Sequence, residues 1–190
     1  MNSIWKILKG FLLGWGAFSL VAALFLGAWI SYGLTLGNRS SDKPASKRDV
    51  RFVLNNCKLG DDRIEEVVHS YISSRHITGD HLDAHAIRVT HLDASELVFD
   101  NTYGKTSGWY RGDELTGFPK EVVDFVASWL PQLPSEKTEI SWFPTIDEIR
   151  SPTTYVWIEY VRTHGTRPFS AQVIFARPED RMIYYFSAKY

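Results

Sequence analysis

The stretch that decides the fold is TTYVWIEYVRTHGTRPFSAQVIFARPEDRMIYYFSAKY, residues 153–190. It holds three segments rich in β-branched and aromatic residues, which favour strands: TTYVWIEYVR (153–162), FSAQVIFAR (169–177) and RMIYYFSAKY (181–190). Gly165 and Pro168 mark the first connection, and Pro178, Glu179 and Asp180 predict a tight turn at the second. Consecutive strands joined by short links favour an antiparallel meander.

Four segments upstream of the meander predict further strands. The clearest is AHAIRVTHL (84–92), because its apolar and polar residues alternate. We expect ELVFDN (96–101) beside it, VRFVLNN (50–56) as a short first strand, and TEISWF (138–143) just before the meander.

Two segments predict helices. In the first, Asp61 or Asp62 would cap a helix whose apolar residues recur at i, i+3, i+4, i+7 and i+8: Ile64, Val67, Val68, Tyr71 and Ile72. The second begins at Pro119 and ends near Leu130, before Pro131. Residues 50–190 therefore predict an α+β fold, a two-layer domain with an antiparallel sheet and about two helices packed on one face.

The N-terminal part of the chain predicts a membrane anchor. No charged residue lies between Lys9 and Arg39, and this apolar run exceeds the roughly 20 residues that cross a bilayer. It is also longer than the apolar region of about 7–15 residues in a cleavable signal peptide. We interpret residues 1–36 as an uncleaved signal-anchor helix that passes the membrane once, and residues 37–49 as a flexible, polar and basic linker.

The charges around the apolar run give two different orientations. Lys6 and Lys9 precede the run, and five basic residues come after it: Arg39, Lys43, Lys47, Arg48 and Arg51. Counting positive charges would place the domain in the cytoplasm. A basic N-terminus before an apolar run is instead the signal-anchor pattern, which exports the remainder of the chain. We predict the second orientation, with the chain in a cell inner membrane and the domain in the periplasm.

Small residues recur at every fourth position of the apolar run: Ser19, Ala23, Gly27 and Ser31. Such a stripe lets two helix backbones approach closely, so it is a candidate contact for a homodimer. The alternative is that the stripe only reflects the usual abundance of Gly and Ala in transmembrane helices.

The charge balance and the single cysteine exclude several classes of protein. Beyond Arg51 there are 14 Lys and Arg against 20 Asp and Glu, a difference of −6. An acidic domain repels phosphate backbones, so we expect no nucleic-acid partner. Cys57 is the only cysteine, which leaves no intrachain disulfide and no cysteine-based zinc motif. The basic residues near the membrane would contact anionic lipid head groups or simply form a solvated linker.

The histidine-rich segment HITGDHLDAHAIRVTHLD (76–93) is a weak candidate for a metal site. His81 and His85 have the HxxxH spacing, but Leu82 stands where zinc proteases need Glu. The metal-ligand candidates are therefore His76, His81 and His85. In a strand, His81 and Asp83 could still form a site with His76 or Asp80. We expect instead a strand with surface histidines at its ends, no bound metal and no cofactor, with histidine titration as a source of pH sensitivity.

The segment between Asn101 and Phe118 is the best candidate for binding a partner. We expect a long hairpin here, with four glycines spaced through it. Its aromatic residues and its arginine are of the types that anchor interfaces: Tyr103, Trp109, Tyr110, Arg111 and Phe118. The alternative is that these aromatic side chains fold back and extend the core.

Together these patterns favour a membrane-anchored domain that binds a protein partner in a cell-envelope complex, as an assembly factor, subunit or inhibitor of the immunity-protein type. We favour a non-enzymatic role, because the catalytic motifs sought, such as GxSxG, are missing. One alternative is a membrane-tethered, metal-dependent hydrolase that uses residues 76–91. Another is a ligand or pH sensor that signals through the transmembrane helix.

Overall fold

The computed structural model describes residues 2–35, 40–41, 43–75, 79–100, 107–130 and 142–190. The chain divides into two compact units, residues 1–39 and residues 40–190. In the first unit, helix α1 (Asn2–Thr35) is long and apolar enough over Ile4–Tyr32 to span a membrane, with none of that stretch buried. Length and composition are the support for this span, and a signal sequence meets the same criterion. A Cβ atom built at Gly27 would meet no described atom within 4 Å, and the small-residue stripe stays a prediction.

The second unit is an α+β domain built on an antiparallel sheet. Its described strands are β1 (Ile64–Ile72), β2 (His81–Val89), β3 (Phe99–Asp100), β4 (Ser107–Arg111), β5 (Tyr155–His164), β6 (Arg167–Arg177) and β7 (Met182–Lys189). Its described helices are α2 (Arg51–Asn56), α3 (Gly117–Trp129) and α4 (Ile146–Ile149). The antiparallel sheet and the second predicted helix are therefore confirmed.

The strands lie in the order β1-β2-β7-β6-β5-β4, and the short β3 pairs with the outer edge of β4. The predicted meander is confirmed, because β5 pairs with β6 and β6 with β7. Strand β2 pairs with β7, placing His85 opposite Tyr185. The segment ELVFDN was expected beside β2. This prediction is wrong, since β3 lies at the far edge of the sheet.

Both faces of the sheet are covered by apolar groups, because side chains alternate along each strand. On what we call the α3 face, the core contains Val126 of α3 together with Phe175 and Phe186. On the opposite face, the α2 face, the core contains Leu54 of α2 together with Ile183. The expectation that the helices pack on one face is wrong for α2.

Two predictions of secondary structure are wrong: a predicted helix is a strand, and a predicted strand is a helix. The segment Ile64–Ile72, predicted as a helix, is the edge strand β1, and two register shifts break its alternation at Ile64/Glu66 and Val67/His69. These irregularities place apolar residues at spacings that resemble a helical period. The segment 50–56, predicted as a strand, forms α2, since Val50, Val53, Leu54 and Cys57 recur with helical spacing and are all buried.

The predicted strand TEISWF (138–143) is not found in the part of this segment that the structure describes. Residues 138–141 lie outside the described part of the chain. Trp142 and Phe143 are not in a strand. Phe143 is buried on the α3 face, where its ring meets the edge of Tyr184 with centroids 5.7 Å apart. Thr145 and Glu148 then cap α4 reciprocally.

Gly112 fixes the end of β4 against the segment that comes after α4. A Cβ atom at this position would lie 2.1 Å from the carbonyl oxygen of Ile149 and 2.6 Å from that of Ser151. Its N–H donates to the Thr154 carbonyl oxygen at 2.7 Å. No side chain fits between these backbone atoms, so the close approach requires glycine.

We therefore expect Gly112→Ala to lower the free energy of unfolding by about 3 kcal/mol, as overpacking does in a tight site. The measurement is urea unfolding of the full-length chain in mild detergent, monitored by tryptophan fluorescence. Gly165→Asn is the control, because Gly165 has open space around it and a φ of +63°, which Asn tolerates. Equal losses for the two variants would contradict the proposed role of the close approach at Gly112.

Candidate functional site

The predicted partner-binding segment divides between the two faces of the sheet. Trp109 is 4% exposed, and on the α2 face its ring lies 5.7 Å from that of Trp157. Tyr110, the next residue of β4, packs half-buried against the α3 face. Tyr103 lies outside the described residues. The alternative expectation, that these aromatic side chains extend the core, describes Trp109 and Tyr110 in this structure, so Trp109 is not an exposed anchor.

Two of the predicted binding residues, Arg111 and Phe118, lie at the surface. The guanidinium of Arg111 is held by Asp113 at 2.6 Å and by Glu114 at 2.7 Å. Phe118, in the first turn of α3, is 47% exposed. A large aromatic side chain and a fixed arginine are suited to contact another protein.

A comparison of two truncations separates the core residues from the surface residues of this segment. We expect Trp109→Ala to lower the free energy of unfolding by about 3–5 kcal/mol, since it empties a buried site. Phe118→Ala should change it by less than about 1 kcal/mol. Urea unfolding of the full-length chain in detergent measures both values. If Phe118→Ala costs as much as Trp109→Ala, Phe118 is structural as well.

The histidines predicted as metal ligands are engaged with protein groups. His81 Nδ1 lies 3.0 Å from the Gly79 carbonyl oxygen, and its Nε2 lies 3.1 Å from Ser187 Oγ. His76 is outside the described residues. Within the described ranges, no three His, Cys, Asp or Glu side chains come close enough to hold a metal ion. A hydrolytic metal centre therefore has no support in this part of the chain.

His85 is a buried histidine, in contrast to the surface position that we expected. It is 6% exposed, and its ring stacks on that of Tyr185 with centroids 5.8 Å apart. Its Nδ1 lies 3.0 Å from Ser70 Oγ, which accepts the Ala45 N–H at 2.9 Å. A neutral imidazole satisfies this chain, because the Ser70 hydroxyl then donates to Nδ1.

Burial is the main reason that the pKa of His85 is lowered, and the negative charges of Asp83 and Asp49 oppose the change. Burial also raises the pKa of Tyr185 to about 12, so its hydroxyl stays protonated at neutral pH. Ser70 is 3% exposed and thus closed to a substrate. The arrangement connects the core to the segment around Ala45 and is not built for nucleophilic catalysis.

Beyond His85, the α2 face becomes polar. Asp83, Ser187, Gln172 and Tyr160 are register partners across four neighbouring strands. We call this row the polar end of the α2 face. Asp83 accepts from Arg75 at 2.6 Å, while its other carboxylate oxygen is buried and has no hydrogen-bond partner in the structure. Such a row suits hydrogen bonding to a polar group.

Sequence reasoning missed this row because its members come from β2, β5, β6 and β7. The available signal was that Asp83 and His85 share a face of β2 with the buried Ile87 and Val89. Polar residues at inward positions of a strand need partners from other elements. Cys57 adds no reactive group, since it is 1% exposed and burial raises its pKa to about 12.

The predicted linker is bound to the domain over much of its length. Ser41 and Ile72 exchange two backbone hydrogen bonds of 2.8 Å each. Ala45 packs against the core of the α2 face, and Val50 is fully buried. Residues 40–49 thus group with the second unit, and the assignment of residues 37–49 to a polar basic linker stays a prediction. Residues 36–39 and 42 lie outside the described ranges.

Comparison with known proteins adds no assignment. No family model matches the chain, and neither a curated protein nor a solved structure is detectably similar to it.

The buried His85 predicts a decline in stability at mildly acidic pH. The pKa of His85 in the folded chain is lower than the ordinary value of 6.5. Below pH 6.5, His85 therefore binds a proton more readily in the unfolded chain than in the folded chain. The free energy of unfolding should therefore fall as the pH drops below 6.5. His85→Gln should flatten this decline, whereas the exposed His164→Gln should not. Equal slopes for both variants would refute the assignment.

Proposed function

We propose that the chain is a single-pass protein of a cell inner membrane whose periplasmic domain binds another cell-envelope protein without catalysing a reaction. The observation that carries the proposal is the exposure of α1. Phe25 and Trp29 are each 72% exposed, and none of the side chains described in the apolar stretch is buried. Such a helix is unfavourable in water and favourable in hydrocarbon.

Two exposed residues support protein binding. Phe118 offers apolar area, and Arg111 offers a guanidinium whose direction is set by two carboxylates. Aromatic and arginine side chains carry a large share of binding energy at protein interfaces. The partner would be an assembly component, a subunit or the target of an inhibitor.

A second candidate function is a pH sensor. It is favoured by the hydrogen bonds that lead from Ala45, in the segment after α1, through Ser70 to the buried His85. Protonation of His85 would reverse the donor and acceptor at Nδ1 and leave the Ser70 hydroxyl hydrogen without its acceptor. This would loosen the contact of Ala45 with the sheet, in the segment that lies between α1 and α2 in the chain.

The proposal predicts a specific crosslink from Phe118. We would replace Phe118 by a photoreactive phenylalanine in the full-length chain and irradiate native membranes. Tyr160 is the matched control position, since it is an aromatic residue of similar exposure, 42%, on strand β5. We expect one protein adduct of defined mass from position 118 and none from position 160. The compartment of the partner then reports the membrane orientation.

Two results would contradict the protein-binding proposal. One is the absence of any adduct from a folded, membrane-inserted chain. The other is the same mixture of adducts from both positions, which would indicate random collisions. A chain that is cleaved after α1 or extracted from membranes by alkaline carbonate would contradict the anchor itself.

A further inference from the structure

Four basic residues and one aromatic residue are exposed within a short segment at the start of the domain. Lys43, Lys47, Arg48 and Arg51 are all exposed. Phe52, the second residue of α2, is 40% exposed. We call these five residues the basic surface.

The fold holds this surface in place. Its segment is fixed on one side by the two Ser41–Ile72 hydrogen bonds and on the other by the buried Val50. Between them, the Asp49 carboxylate accepts from the N–H and hydroxyl of Ser46, at 3.2 and 2.7 Å. These hydrogen bonds, led by that from the Ser46 hydroxyl, lower the pKa of Asp49. Lys47 and Arg48 therefore lie in an ordered turn.

The charge of this surface contrasts with the rest of the domain. Over residues 43–52 there are four basic residues and one acid, Asp49. Arg51 also pairs with Asp61 at 3.3 Å, although its side chain is 61% exposed. Beyond Arg51 the domain has six more acidic than basic residues. A positive region on an otherwise acidic domain is expected to attract an anionic surface.

Phe52 indicates what kind of anionic surface this is. Its ring contacts Tyr185 edge-on, with centroids 5.1 Å apart, and leaves apolar area open beside Arg51. An aromatic ring next to basic side chains suits the boundary between head groups and acyl chains. Lys43 comes only eight positions after Thr35, the last residue of α1. A bilayer is thus the anionic surface that chain connectivity brings to these residues.

We propose that the basic surface binds anionic lipid head groups, with Phe52 at the level of the head groups. This inference rests on the proposed membrane anchoring by α1. Each basic residue close to an anionic bilayer strengthens binding about five-fold, so the four together would hold the domain against the membrane.

The test uses the full-length chain in phospholipid vesicles and a fluorophore that reports polarity. Asn55 is exposed and lies on α2 beside Phe52, so Asn55→Cys provides the labelling site. The native Cys57 is buried with a pKa of about 12 and does not compete for the label. We compare vesicles of phosphatidylcholine alone with vesicles that also contain phosphatidylglycerol. The emission should shift to the blue in the anionic vesicles, and high salt should reverse the shift.

Matched charge reversals make the test specific. Lys47→Glu with Arg48→Glu should abolish the blue shift. The control, Arg162→Glu with Arg167→Glu, changes the charge equally at the exposed end of the β5–β6 hairpin and should retain it. Equal emission in both lipids, or equal loss in both double variants, would overturn the proposal. A blue shift produced by soluble glycerol phosphate with neutral vesicles would also overturn it, because the ligand would then be a free phosphate.

Vesicle flotation distinguishes a missing lipid contact of the basic surface from a missing membrane anchor. A chain that floats with vesicles of either composition but shows no shift has an anchor and lacks the lipid contact. A chain that does not float contradicts the anchor and overturns the inference that rests on it.

Discussion

The burial of β7 is the constraint on which the domain depends. Every residue from Met182 to Ala188 is buried, so both faces of the sheet must be covered with apolar groups. Helix α3 supplies this cover on one face, and α2 with the residues around it supplies the cover on the other. The need to cover the α2 face explains why the short helix α2 and the segment before it pack onto the sheet. Without them, Ile183 and Tyr185 would face water.

Sequence patterns predicted the elements whose signals are local. Strands β5, β6 and β7 each carry a continuous β-rich pattern, and α3 has a clear helical period. The wrong predictions concern segments whose secondary structure depends on contacts with distant parts of the chain. Strand β1 has irregular register against β2, and α2 is a single turn and a half whose apolar set continues to Cys57. The burial of Trp109 could not be predicted from local patterns either, because it depends on contact with Trp157, which lies 48 positions further along the chain.

The candidate sites likewise depend on contacts between distant segments, which local sequence patterns do not reveal. The exposure of Arg111 and Phe118 could be anticipated only in part, since composition does not distinguish an interface aromatic from a core aromatic. The Ala45–Ser70–His85 chain joins three separate segments and has no local signature. It ties the residues after α1 to the centre of the sheet. The second compact unit therefore includes residues whose polar composition predicts a linker.

The edge strand β1 has a consequence for crowding. Where copies of a protein are crowded, an open strand edge invites edge-to-edge pairing between them. Strand β1 carries two register irregularities, exposed Glu65 and Glu66, and Ser41 paired at its end. An irregular edge whose exposed glutamates pair with Arg181 and Arg88 is a poor template for another strand. The domain is thereby protected from forming shared sheets with other copies.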